Sequence, residues 1–466
     1  MRYHTPLLVM WVGLSLSVPA FAPLSAQPTR PPATHVGTLS AGSADSLVTV
    51  SLADAVRRSY QVAPAAVAAG GEITTTAWQK RSAVLALATP AVSLGGDLYS
   101  NSPKVFNFNV LPPSPSALTG ALPITSQTAD ANISASYTFF TGGQTVSRVR
   151  AATFAQAGAE ANQDEARAET RVGVETAYYT VTADQELLRV AEEQVETLTE
   201  ELALSRARVT SGATVQTDSL QLSLQRSTAR INLLQQQAAT RVDRLALGRQ
   251  IGLSQPVGTE SLDTLPPPEL PFTLDDAVAQ ALKTGPLYAR VRADERTAGA
   301  TLAVEKGSFL PAVTVSASRV AYGDQLLPNQ LYRNQVALSL SFPILDQGQR
   351  EYSVAVADAA LDSVRAVRAD LDRGARQDVA NAYDAYNTAR ATVEMEEASV
   401  VVARENLRVE TLRYGSGLEN VLNLLTAEVS MTQAESDLVT ARKNARLALA
   451  SLQARLGKQL VPEEGL

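Results

Sequence analysis

The sequence contains no cysteine, which removes disulfides, thiolate metal sites and the N-terminal acylated cysteine of a bacterial lipoprotein. Any attachment to a membrane must then be made by the fold. Histidine occurs only as His4 and His35, both near the start of the chain, so neither a His-based triad nor a HExxH zinc site can be assembled. Aromatic residues are 5% of the 466 and the apolar share leans on alanine, which argues against one large globular core. There is no basic block, and 40 basic against 47 acidic residues leave a net charge of −7, so nucleic acid finds no electrostatic footprint. Gly142-Gly143 is followed by no P-loop lysine, and no cofactor is expected. Past the first twenty residues no apolar run reaches the length of a spanning helix. If the chain enters a membrane, it does so by strands.

What is present begins with an export pattern. Met1-Arg-Tyr-His4 precedes an apolar run from Leu7 to Val18, then small residues at Ala20-Phe-Ala22 and Leu24-Ser-Ala26. This is the three-part arrangement of a secretory signal. Pro23 disfavours a cut after Ala22, so residues 1–26 are read as the signal peptide.

Two segments then read as amphipathic strands. In Ala131 to Phe140, Ile133, Ala135, Tyr137 and Phe139 alternate with Asn132, Ser134, Ser136 and Thr138; in Val336 to Phe342, Leu338, Leu340 and Phe342 oppose Ala337, Ser339 and Ser341. A strand apolar on one side and small-polar on the other suits a barrel wall between lipid and water. The aromatics Tyr99, Phe106, Phe108, Tyr137, Phe139, Tyr322, Tyr332 and Phe342 cluster there, some as an interfacial girdle.

The strands belong to a duplication. Ser51-Leu-Ala-Asp-Ala-Val56 matches Thr273-Leu-Asp-Asp-Ala-Val278 at a shift of 222, and Pro90-Ala-Val92 matches Pro311-Ala-Val313 at 221. From the second strand onward the shift is 205, pairing Gly143-Gln144 with Gly348-Gln349 and Arg208 and Gly212 with Arg413 and Gly417. The lost residues fall between the strands, where a surface loop changes length freely. Residues 27–260 and 261–466 thus form two structural repeats, the second ending in a belt segment. Each reads as short helix, helix, strand, loop, strand, long helix, tight turn, returning helix.

The long helices set the shape. Gly143 to Ser211 and Gly348 to Ser416 contain no proline, and each extends about 100 Å at 1.5 Å per residue. Sevenfold spacing recurs in Leu188, Val195, Leu202 and Val209, and again in Leu220, Leu224, Ser227, Ile231, Leu234 and Ala238, which predicts antiparallel coiled-coil packing. The returning helix and the helix before the first strand together nearly equal the long helix, so two short helices can stack end to end beside it. Their joints meet at mid-height, where the pieces 27–50 and 252–272 and the C-terminal tail wrap as a belt. Glu165, Glu169 and Glu175 are assigned to solvated helix faces near arginines.

Arg208-Val-Thr-Ser-Gly212 and Arg413-Tyr-Gly-Ser-Gly417 mark the hairpin turns. Glycine past a helix end supplies the left-handed conformation of a tight stop, and an arginine in the last turn can meet orphan carbonyls. Pure capping explains either arginine alone; the same spacing at both turns also fits a surface presented to a partner.

With these residues in place, the chain resembles the TolC-like outer-membrane efflux protein family over about residues 48 to 460. The duplicated plan, Phe342-Pro-Ile-Leu-Asp-Gln-Gly348, and Arg413-Tyr-x-x-Gly417 followed by Val421-Leu422 and Leu424-Leu425-Thr-Ala427 carry the resemblance. It implies a mainly α fold with a transmembrane β part: a trimeric twelve-stranded barrel, four strands per chain, continued by a long antiparallel coiled-coil tunnel through the periplasm. It further implies a passive exit duct for a tripartite efflux or type I secretion system, with outer-membrane lipid, a periplasmic adaptor and an inner-membrane pump as partners. Arg208, Gly212, Arg413 and Gly417 would be the adaptor-docking tips. The family commonly has aspartates six and nine residues after the second tip glycine, lining the constricted entrance; here those positions are Asn423 and Thr426, and the first half has Asp218 and Gln221. The usual acidic ring is therefore incomplete, with Asp218, Glu419 and Glu428 as candidate substitutes.

Four strands leave two open edges that lipid does not tolerate, which by itself calls for several chains around an axis. The competing reading is a structural or adhesive trimeric coiled coil on the cell surface, sharing export and heptads but needing no duplicated barrel wall.

Overall fold

A computed structural model describes residues 47–101, 126–212, 214–260, 267–323 and 331–458. The signal segment, residues 27–46 of the belt, Phe106 and Phe108, the loop prolines from 103 to 123, Pro266 and the end of the C-terminal tail lie outside the described residues.

A run of six described elements occurs twice in one order, joined in the first half by a short strand at either end. The first set is β1 (Val48–Val50), α1 (Leu52–Val62), α2 (Pro64–Ala88), β2 (Ala91–Asn101), β3 (Ser126–Phe140), α3 (Gln144–Thr210), α4 (Gln216–Gln250) and β4 (Val257–Thr259). The second is α5 (Leu274–Thr284), α6 (Pro286–Gly307), β5 (Ala312–Gly323), β6 (Leu331–Ser341), α7 (Gln349–Gly415) and α8 (Val421–Leu456). The long helices α3 and α7 are both 67 residues. Ser51 and Thr273 cap α1 and α5 through their side chains, and Pro64 and Pro286 sit in the first turns of α2 and α6, where a missing N–H is harmless.

The helices build a wall four columns wide. α2 and α4 pack along α3, α6 and α8 both lie between α3 and α7, and α7 forms the far edge. Heptad spacing sets the seams: Val379, Tyr386, Val393, Val400 and Tyr414 of α7 are buried, as are Leu424, Met431, Ala445 and Leu452 of α8. The joints between stacked short helices are tight. A Cβ on Gly457, at φ +64°, would lie 2.6 Å from the Thr284 carbonyl oxygen at the α5–α6 corner. Gly252, 205 residues earlier, is likewise at positive φ, and a Cβ there would meet Val62. At this level β1 pairs in parallel with β4, and the described end of the second belt piece lies on α7, where Tyr386 donates to the Pro268 carbonyl at 2.5 Å.

Two expectations change. The apolar stripe Leu220, Leu224, Ile231 and Leu234 is not the seam between α4 and its own chain: α4 turns Leu222, Ala229, Thr240 and Leu247 inward and leaves that stripe exposed. Positions 222 and 224 stand about 200° apart around a helix, so α4 has two apolar faces on opposite sides. Glu175 is buried rather than solvated, held by Arg171 Nε at 2.5 Å, and Glu165 is half-buried against Arg290 at 3.2 Å.

Asp184 in this wall is only partly compensated, by Gln236 and Lys443. Asp184 of α3 faces Asp243 of α4, and burial first, then that neighbour, raise its pKa to about 6. A raised folded pKa means a stability contribution present in acid and lost as pH climbs from about 4 through about 6. Asp184→Asn is expected to stabilise the protein at pH 7 by about 1 kcal/mol after discounting for solvent access. It should do nothing at pH 4, as thermal melts at the two pH values will show.

Candidate functional site

The strands form one antiparallel sheet in the order β2-β3-β5-β6. Cross-strand partners share a face, so the register sorts the side chains. Val92, Ala135, Ala317 and Val336 form one row, with Leu94 and Ile133 beyond it and Tyr137, Val315 and Leu338 on the other side. This face has no cover within the described residues, Leu94 being 83% exposed. The opposite face is small and polar, with Ser93 and Ser134 hydroxyls 2.7 Å apart and Thr138 and Thr314 2.9 Å apart. Phe139 departs from the expected alternation, because a bulge between Thr138 and Phe140 brings Phe140 opposite Val313. Phe342, Ile344 and Leu345 are exposed just below the strands. Arg319 stands in the apolar row of Leu94 and Ile133, its guanidinium 4.6 Å from the Tyr332 ring centroid; strand alternation could have found it.

At the other end of the wall the two hairpin tips lie side by side. Gly212 (φ +74°) and Gly417 (φ +75°) take the left-handed conformation that lets each hairpin reverse. The two arginines differ. Arg208 reaches the other hairpin: Nη1 donates to the Tyr414 carbonyl at 2.5 Å, and the guanidinium lies 4.9 Å from the Tyr414 ring centroid. It therefore caps α7 rather than its own helix, which neither local reading anticipates. Arg413 stays 55% exposed with Glu410 at 3.1 Å.

The residues expected at the entrance sit on the first two turns of the returning helices. Asp218 accepts from Thr214 at 2.5 Å, and Gln221 is exposed. Asn420 caps α8, accepting from the backbone N–H of Leu422 and Asn423. The exposed Asn423 donates to Glu419 at 2.7 Å, and the exposed Thr426 bonds back to the Leu422 carbonyl. Glu428 is no candidate for a channel-facing ring, because it is buried inside the wall at 5% exposure.

A sheet with an apolar outer face, a polar inner face and two unpaired edges, set on a wall of helices too polar to span lipid, is one segment of a membrane channel built from strands. The chain belongs to the outer membrane efflux protein family, whose profile matches residues 76–253 and 277–458. It is similar to the cobalt-zinc-cadmium resistance protein CzcC of Cupriavidus metallidurans, 25% identical over 301 residues, 63% of this chain and 69% of that protein. Its fold matches the outer membrane protein VceC of Vibrio cholerae with a TM-score of 0.71 at 19% identity, covering 88% of this chain and 97% of the other. The MtrE outer membrane channel of Neisseria gonorrhoeae, in its open state, gives 0.71 at 20% identity over 88% and 89%. The protein is an outer-membrane efflux channel, with strands in the membrane and helices in the periplasm.

Proposed function

We propose that this chain works as a homotrimer, a passive exit duct that performs no chemistry and conducts substrate delivered by an inner-membrane pump through a periplasmic adaptor, in efflux or type I secretion. The observation that carries the trimer is that both edges of the wall are unfinished in the same sense. One side offers edge strand β2 and the outer stripe of α4, with Leu224 70% exposed; the other offers edge strand β6 and the exposed Met395, Val402 and Leu412 of α7. Joining unlike edges head to tail closes a ring, and three copies give twelve strands around a water-filled lumen. Native mass measurement of the detergent-extracted protein is expected to give three copies; a stable folded monomer would overturn the reading.

The tips support adaptor docking. Gly212, Arg413 and Gly417 are exposed there with Leu418, while Arg208 is engaged with the neighbouring hairpin and shapes the surface from within. Disruptive substitutions at both glycines should abolish pump-dependent export while leaving barrel insertion intact.

At the entrance, three asparagines near the axis keep the size of aspartates without their mutual repulsion or their pull on multivalent cations. Single channels in planar bilayers are expected to be weakly blocked by divalent or trivalent cations from the periplasmic side, and Asn423→Asp to strengthen the block. Strong block of the unmodified channel, relieved by neutralising Asp218 or Glu419, would move the gate to those positions.

A further inference from the structure

Where α3 and α8 pack near the tips, two carboxyl groups from opposite repeats meet. Glu201 and Glu428 are within hydrogen-bonding reach of each other. Neither oxygen of Glu428, nor Oε2 of Glu201, has a donor among the described residues. Around them are Leu198, Leu202, Leu222, Leu424 and Tyr414, one buried apolar cluster. Ser205, one turn along α3 from Glu201, is fully buried with its hydroxyl unpartnered.

Among the described residues no arginine or lysine acts on the pair. On α7 the nearby arginines are engaged elsewhere, Arg404 with Glu435 and Arg408 with Glu405, while Glu410 meets Arg413 through Oε1 and keeps Oε2 buried without a donor among the described residues. On α4 the buried Leu222 and Ala229 join the same cluster, and the half-buried Arg226 between them is not among the groups that act on either glutamate. One heptad along the same seam the situation is reversed: Glu435 of α8 has Arg404 of α7 at 3.7 Å and Arg189 of α3 within electrostatic range, beside Glu193. The seam thus has one layer where arginines partly offset burial, which still raises the Glu435 pKa, and one where, among the described residues, only a proton is on hand to neutralise the carboxylates. Two ionised carboxylates cannot hydrogen-bond and repel strongly in an apolar setting, whereas one proton turns the same pair into a short bridge.

We propose that Glu201 and Glu428 share a proton across the α3–α8 seam and form a proton-dependent clasp that holds the two hairpins together at the entrance end of the channel wall. Burial, then Glu201, push the Glu428 pKa up to about 9, and burial pushes that of Glu201 upward as well. A carboxyl whose folded pKa is raised gives its full stabilisation below the ordinary value of 4.5 and loses it as pH rises toward the folded value. The clasp is closed in acid, still closed near neutrality, and released in alkali.

The test uses the full-length channel in detergent, with spin labels at the exposed positions Leu204 and Ser430. Between pH 6 and pH 9.5 the label distance is expected to widen, and the melting midpoint to fall by about 5 °C. Glu428→Gln, whose amide donates to Glu201 at every pH, should flatten both responses, and Glu201→Gln provides the same test from the other helix. Infrared spectra at pH 7 should show a protonated carboxylic acid band that disappears in Glu428→Gln. Absence of that band in the unmodified protein would overturn the proposal, as would an undiminished pH response in both glutamine variants. Stabilisation by zinc or cobalt that Glu428→Gln removes would also overturn it, by placing a metal ion where the proton is assigned.

Discussion

Substituting Ile231 and Leu234 together with aspartate is expected to abolish trimer assembly while leaving each chain's own helical wall folded. Both side chains lie on the outer stripe of α4, exposed and without a partner among the described residues, while the inward seam uses Leu222, Ala229 and Leu247. Each buried aliphatic side chain contributes about 2 kcal/mol, so losing two at each of three interfaces removes on the order of 10 kcal/mol from the ring. The introduced carboxylates add a desolvation cost. Cross-linking and native mass measurement will read the result. Aspartates at the exposed Ser227 and Gln235 positions provide a milder control on the same helix, since neither removes apolar area. A trimer that survives the double substitution would show that the stripe faces something other than a second copy.

The second large effect is expected at Arg208. Its guanidinium joins the hairpins through a charge-assisted hydrogen bond to the Tyr414 carbonyl and stacking on the Tyr414 ring. Together these are worth about 2–4 kcal/mol in a partly buried setting. Removing them by Arg208→Ala should let the tips separate, raising single-channel conductance and speeding proteolysis at the turns. Arg208→Lys should restore little, because an ammonium cannot match the planar fork over the ring. Tyr414→Phe keeps the ring and the carbonyl and loses a buried hydroxyl that has no hydrogen-bond partner among the described residues, so it should behave like the unmodified channel. Tyr414→Ala should resemble Arg208→Ala. Equal damage from Phe and Ala would place the weight on the hydroxyl and sink the stacking account.

These two residues also separate what local pattern contains from what it does not. The Arg-x-x-x-Gly spacing located both turns, because a tight reversal needs a positive φ and glycine takes it without strain. It gave the arginines equal standing, yet one crosses to the other hairpin and the other stays on the surface. That difference depends on Tyr414, 206 residues away.

From sequence alone came the duplication, the faces of β3 and β6 apart from Phe139, the two long proline-free helices and the turn positions. Each is a local property: alternation has period two, a coiled-coil seam repeats every seven residues, and helix length follows from an uninterrupted run without proline. Only the tertiary structure decided which of the two apolar faces of α4 meets α3, since heptad spacing is the same whether the partner is in the same chain or the next. It also decided that Glu428, a possible entrance carboxylate when read along one helix, is enclosed by the wall and set against Glu201. The meeting of two carboxylates from separate repeats leaves no mark in either local pattern, because burial is fixed by the helix that packs across, and that helix lies more than two hundred residues away.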